Sequence, residues 1–116
     1  LGRPDQVFDH WGWGLDVVKR VNSPRIKALF DIYHVQIADG DVIARIKESL
    51  PFISHFHTAG VPGRNEIDET QELNYRLVAQ VIADSGFTGP VSHEYRPSPG
   101  KDPIKSLEKC VDLMDV

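Results

Sequence analysis

The sequence predicts an α/β domain with a parallel sheet. Three observations carry this. Apolar runs of strand length occupy residues 26–30, 52–57 and 90–95, each bounded by turn-forming residues. Four stretches with apolar residues at helical spacing lie before, between and after them. The order is helix, strand, helix, strand, helix, strand, helix, and such alternation implies parallel strands joined by helical crossovers.

Residues 1–10 have no clear period and contain Gly2, Pro4 and Asp5, so they read as a loop or as the tail of a further strand. Asp9 is the expected N-cap of a helix over 11–21, with Leu15, Val17, Val18 and Val21 available to its inner side. Gly12 and Gly14 weaken its first turn. Asn22-Ser23-Pro24 stops it, because proline disfavours helix in the residue before it. The strand over 26–30 then leads into Asp31. After His34, Asp39-Gly40 turns the chain and Asp41 caps the second helix, whose apolar face is Val42, Ile43, Ile46 and Leu50. Pro51 ends it.

The strand over 52–57 is followed by a long polar loop over 58–72 containing Gly60, Pro62 and Gly63. A loop of that length in a compact domain is more often functional than idle. Asn74 caps a third helix with Leu77, Val78, Val81 and Ile82 inward, and Gly86 stops it. After the third strand, Pro97-Ser98-Pro99-Gly100 turns the chain. Asp102, with Pro103 at the first helical position, opens a last helix whose apolar side is Ile104, Leu107, Cys110, Val111 and Met114.

A chain of 116 residues accommodates one domain with a core, taken as 1–116. It is 41% hydrophobic and 26% charged with a formal net charge of −4, and it has no basic block. That argues against a nucleic-acid partner. No apolar run approaches the ~18 residues of a membrane span, and the N-terminus lacks the order of a signal peptide. The single cysteine, Cys110, sits among apolar residues and reads as a buried thiol in a reducing, cytoplasmic compartment.

Three parallel strands leave two open edges and a half-covered core. The expectation is therefore a covering partner, either further barrel units N-terminal to these or another copy in a homo-oligomer. The start at Leu1 rather than Met fits the first. Asp31 and His57 are 26 positions apart, and His57 and Glu94 are 37 apart. These spacings bracket the roughly 31 residues per unit of an eightfold barrel of ~250 residues.

Asp31, His57 and Glu94 each fall at a strand end, and groups at the carboxyl ends of barrel strands face a shared mouth. Two carboxylates and an imidazole suit Mg²⁺, Mn²⁺, Co²⁺ or Zn²⁺ rather than a soft thiolate metal. Each alone reads equally as a solvated loop residue or a helix cap. Their matching positions favour a metal. His34 is open between a fourth ligand, a substrate contact and polar surface. Strand alternation puts His55 on the face of His57, one layer deeper, and turns His93 toward the helices in a structural role. Arg64, in Val61-Pro62-Gly63-Arg64, is placed to fork onto a substrate carboxylate or hydroxyls, with a plain surface arginine as the alternative. Trp11 and Trp13 suit core packing more than a pocket wall. The sequence has no Gly-rich phosphate loop, no serine nucleophile elbow and no Cys-x-x-Cys.

Several pieces in order resemble the hydroxypyruvate isomerase family of the xylose isomerase-like TIM barrels, with the sugar 3-epimerases as cousins. They are Phe30-Asp31-Ile32-Tyr33-His34-Val35-Gln36-Ile37, Gly40-Asp41, His55-Phe56-His57-Thr58-Ala59-Gly60-Val61-Pro62-Gly63-Arg64-Asn65-Glu66, Glu72-Leu73-Asn74-Tyr75 and His93-Glu94-Tyr95-Arg96-Pro97. The resemblance is clearest over 26–97. It implies strands six to eight with helices five to eight of a (β/α)8 barrel.

It also implies that Asp31, His57 and Glu94 are three of four divalent-metal ligands and that Glu94 is one of two acid/base glutamates. His34 and Arg64 would hold substrate oxygens. The implied activity is metal-dependent isomerisation of a sugar or hydroxy-keto acid through an enediolate. The alternatives are a sugar 3-epimerase, an endonuclease IV-like metal nuclease, and a non-catalytic metal- or partner-binding piece. Two departures stand out. His57 replaces the usual glutamine, which is closer to the epimerase pattern. Gly60 stands where the family usually has Asp, and Glu69-Thr70-Gln71 precedes Glu72 in place of Gly-Thr-Gly. The partner glutamate belongs to strand five, and residues 1–10 contain no Glu.

Overall fold

The structure, a computed structural model, describes residues 5–116. The part of the expected N-terminal loop over 1–4 lies outside them. The elements are α1 (Trp11–Val21), β1 (Ala28–Asp31), α2 (Ile32–Ala38), α3 (Val42–Ser49), a 3-10 turn (Leu50–Phe52), β2 (Ile53–Thr58), α4 (Tyr75–Asp84), β3 (Val91–His93) and α5 (Pro103–Met114). The strands form one sheet in the order β1-β2-β3, and both pairs are parallel. No helix among the described residues is long and apolar enough to cross a membrane.

One helix, α2, is additional to the sequence expectation. Asp31 closes β1 and at once caps α2, accepting the His34 N–H at 3.1 Å on Oδ1. With no Gly or Pro between them, strand and helix abut, and Ile32 and Val35, one helical turn apart, are both fully buried.

An aromatic row organises the core on the helix-covered face of the sheet. Trp11 meets Phe30 edge-on at 4.5 Å between ring centres. Phe30 meets Phe56 at 5.6 Å, and Phe56 meets Phe87 at 4.9 Å. Trp11 is core, with its indole N–H donating to Ser49 Oγ at 3.2 Å. Trp13 is half exposed and rests on Phe8. Cys110 is buried and free.

Two caps differ from expectation. The N-cap of α1 is His10, whose side chain makes no cap bond. Asp39, 28 positions away, takes the Trp11 N–H on Oδ2 at 2.6 Å and His10 Nδ1 on Oδ1 at 3.2 Å. Asp41 occupies the N-cap of α3 but in the left-handed region at φ 50°, and its side chain does not cap.

Three buried faces are also rotated from the expected ones. In α1 the Phe8 ring lies where a Cβ on Gly14 would be 2.2 Å away, so Trp11 and Gly14 face in while Val17 and Val21 face out. In α4 the buried Tyr75 hydroxyl is bonded to Ala59, which turns Tyr75, Val78, Ala79 and Ile82 inward and Leu77 outward. In α5 Ser106 and Cys110 are buried and Ile104, Leu107 and Val111 are exposed, because Ser106 bonds Glu66 and Tyr95 inside. The outward apolar stripes thus lie on the first and last helices.

Candidate active site

The sheet register assembles the site. Asp31 on β1 is the direct neighbour of His57 on β2, and His57 is the neighbour of Ser92 on β3. Glu94 is two residues past Ser92 and so returns to the same face, one step nearer the carboxyl rim. One ligand atom each from Asp31, His57 and Glu94 lies within 4.8 Å of the others. His57 Nδ1 is 2.9 Å from Glu94 Oε2 and 3.9 Å from Asp31 Oδ2. Atoms that share one small divalent ion stand about 3 Å apart when each bond is ~2.1 Å. The donor set and its spacing therefore fit such an ion, with small side-chain adjustments at Asp31.

Asp31 divides its carboxylate. Oδ1 caps α2, and Oδ2 faces the site. The cap fixes the rotamer, so one carboxylate closes the helix end and still presents an oxygen to the cluster. Asp31 is 7% exposed, whereas the Glu94 side chain is 54% exposed. The first is a fixed anchor and the second is open to solvent, though held by His57.

Arg64 lies over both carboxylates. Its Nη2 donates to Asp31 Oδ2 at 3.2 Å and to Glu94 Oε2. Nη1 donates to His34 Nε2 at 2.9 Å, and Nε donates to the Glu94 carbonyl at 3.2 Å. The guanidinium also stacks 5.3 Å from the centre of the Tyr33 ring. His34, one turn into α2, has Nε2 3.9 Å from Asp31 Oδ2. The five residues singled out from the sequence thus form one cluster. Burial alone would raise the Glu94 carboxyl. The His57 hydrogen bond and the Arg64 charge outweigh it and hold Glu94 below its usual range.

Below this layer, His55 Nε2 bonds Ser92 Oγ at 2.8 Å, and the His55 ring meets His57 edge-on at 4.7 Å. His93 is on the opposite face, joined to Thr58 Oγ1 at 2.7 Å, and burial lowers its affinity for a proton. Both positions follow from strand alternation.

The loop after β2 folds back on itself. Gly60 N–H donates to the Asn65 carbonyl at 2.8 Å, and Arg64 N–H to the Gly60 carbonyl at 2.9 Å. Val61-Pro62 is cis, and Arg64 itself is left-handed at φ 60°. A Cβ on Gly60 would be 2.0 Å from the Glu66 carbonyl oxygen, so no larger side chain can be placed there on this backbone.

Two residues of the cluster's support escaped the sequence reading. Glu66 is 5% exposed and ionised. Burial pushes its carboxyl up, but bonds from the Ser98 hydroxyl and N–H and from Ser106 prevail and hold it at about 2. Tyr75 OH donates to the Ala59 carbonyl at 2.7 Å and accepts the Ala59 N–H at 3.1 Å, and burial raises its pKa. The Asn65-Glu66 step after Arg64 was the available signal for the first. Nothing local marked the second.

A parallel sheet with its polar cluster at the carboxyl rim defines a barrel-type site, and the comparisons agree. The model of the xylose isomerase-like TIM barrel family matches residues 4–113, and the chain belongs to that family. Among curated relatives, a protein of Cupriavidus necator named 2-oxo-tetronate isomerase is 40% identical over 87 residues, covering 75% of this chain and 33% of that protein. A human protein named "Putative hydroxypyruvate isomerase" is 38% identical over 81 residues, covering 70% of this chain and 29% of that one. A crystal structure from Brucella melitensis, named as an AP endonuclease of family 2, superposes with TM-score 0.81 at 36% identity, over 90% of this chain and 39% of that one. The chain spans about a third of the length of these curated relatives.

Proposed function

We propose that these residues form part of the active rim of an isomerase acting on a small sugar or hydroxy-keto acid, with Asp31, His57 and Glu94 holding a divalent metal. The observation that carries this is the convergence of the three groups within 4.8 Å on neighbouring parallel strands, under a guanidinium that bridges both carboxylates. The naming of the curated relatives as isomerases supports the same reading.

The metal, when bound, would supply a positive charge for the negative oxygen that develops as a proton leaves the carbon beside a carbonyl. The chain's own residues do the rest. Asp31, held by its cap, orients the cluster. Glu94, exposed and ionised, moves the proton to or from carbon. Arg64 donates to the substrate's carboxylate or hydroxyl oxygens once metal and substrate displace its present contacts with Asp31 and Glu94, and His34, whose Nε2 accepts from Arg64, lies beside it for a substrate hydroxyl. Return of the proton at the adjacent carbon, or at the opposite face for an epimerase, needs a second carboxylate. We assign that group to a further barrel unit, which would also cover the apolar stripes of α1 and α5.

Titration calorimetry of the chain with Mn²⁺ tests the metal site. One ion per chain is expected. Asp31→Asn and Glu94→Gln should each weaken binding at least about tenfold, and little turnover of hydroxypyruvate is expected from the chain alone. Stoichiometric binding indifferent to both substitutions would remove the reading. A phosphodiester-cleaving reading draws on the naming of the Brucella structure as an endonuclease. Against it stand the net charge of −4 and the lack of an Asp-x-His pair after β2. Cleavage of abasic DNA that Glu94→Gln abolishes would favour it.

A further inference from the structure

Arg64 is held in an unusual way. Its φ of 60° is in the left-handed region, next to Gly63 at φ 92°. An arginine stays there only where its surroundings over-determine the backbone. Two anchors are adjacent to it. The Gly60–Asn65 bridge closes the loop on itself. Arg96 N–H donates to the Arg64 carbonyl at 2.8 Å, while Asn65 Nδ2 donates to the Arg96 carbonyl at 2.8 Å.

The third anchor is two residues on, at Glu66. Its Oε1 accepts the Ser98 N–H at 3.0 Å and the Ser106 hydroxyl at 2.9 Å, and its Oε2 accepts the Ser98 hydroxyl at 2.6 Å. Lys101 Nζ is 3.5 Å from Oε2 and 2.9 Å from Asp68 Oδ2. A buried carboxylate is costly unless each oxygen is met, and here both are. The side-chain hydrogen bonds of Glu66 go to Ser98 and Ser106, outside the carboxylate cluster. Its bonds join three segments: the loop that carries Arg64, the β3–α5 connection that begins at Glu94, and α5.

We propose that Glu66 is a positioning residue for Arg64. By tying the loop to Ser98 and Ser106 it keeps the guanidinium over Asp31 and Glu94 and ready for a ligand oxygen. The ligand part of this rests on the reading of Arg64 as a substrate-binding group. The backbone part does not. Glutamine is the discriminating substitution. It has the same shape, but it offers no charge to Lys101, and its NH₂ against Ser98 Oγ turns that hydroxyl from donor to acceptor, so the charge-assisted bonds of the clamp become weaker neutral ones.

The test uses the 116-residue chain. Amide exchange followed by NMR reads the clamp directly. In Glu66→Gln, the Gly60, Arg64 and Arg96 amides should exchange about tenfold faster. The Phe56 amide, bonded to the Pro90 carbonyl at 3.1 Å in the sheet, should stay within about twofold. With Mn²⁺ present, affinity for glycolate, the simplest α-hydroxy carboxylate, should fall about tenfold while Mn²⁺ affinity holds. The same substitution made on Arg64→Ala should cost nothing further, since Glu66 acts through Arg64. Unchanged exchange at Arg64 and Arg96 overturns the proposal, as does an undiminished loss of glycolate affinity in the Arg64→Ala background. If the unsubstituted chain binds no glycolate, the functional reading falls, and the exchange result alone decides the clamp. Ser106→Ala, which removes one donor, replaces Glu66→Gln if that variant does not fold.

Discussion

Replacing Tyr75 by phenylalanine removes one oxygen and leaves the ring. The residue is 2% exposed. Its hydroxyl satisfies two groups of a single residue, the Ala59 carbonyl at 2.7 Å and the Ala59 N–H at 3.1 Å. A phenylalanine in its place would strand both. An unsatisfied buried polar group costs about 1–3 kcal/mol, and the variant recovers part of this because it no longer buries a hydroxyl. A loss of about 2–3 kcal/mol follows, or roughly 10 °C in Tm for a chain of this size.

The pH dependence gives an independent handle. Burial, first, and the nearby Asp31 charge raise the Tyr75 pKa in the fold, and the Ala59 bond only partly opposes them. A raised pKa means that the folded chain holds its proton more tightly than the unfolded one. This stability is complete below the unfolded value of ~10 and is lost as pH rises through and beyond it. Urea unfolding of the pair at neutral pH and at pH ~10.5 reads both effects, and the lysines cancel in the difference. The substitution should cost less at alkaline pH than at neutral pH. A cost under about 0.5 kcal/mol, or one that does not shrink with pH, would refute the account.

Gly60→Ala should destabilise the loop by several kcal/mol or force it open, since the new Cβ meets the Glu66 backbone oxygen at 2.0 Å. Thermal melts and loss of the Arg64 amide's protection would register it. The distant cap is separable from the expected one: Asp39→Ala should cost about 1 kcal/mol and Asp9→Ala almost nothing. Equal effects in urea unfolding would return the cap to Asp9.

The strands and four of the five helices were legible because their signals are local. Asn74 and Asp102 cap α4 and α5 through bonds to amides two or three residues on. Helix α2 was not legible, because Asp31 serves both as strand end and as cap, and no breaker separates the two. The helix faces were misread where one buried polar group outweighed several apolar ones. Ser106 and Tyr75 face inward to reach Glu66 and Ala59, and Leu107 and Leu77 are left outside.

The sequence by itself determined the alternation of elements, the parallel sense of the sheet, and the polar residues delivered to one end of it. Period, cap chemistry and chain length suffice for that, since each acts within a few residues. Only the tertiary structure decided that Arg64 lies across both carboxylates, that Glu66 and Tyr75 brace the loop beneath it, and that Asp39 caps α1. Those contacts join residues 16 to 40 positions apart. A hydrogen bond between distant residues leaves no periodic trace, because its partners are chosen by how the sheet register and the helix packing bring them within about 3 Å of each other.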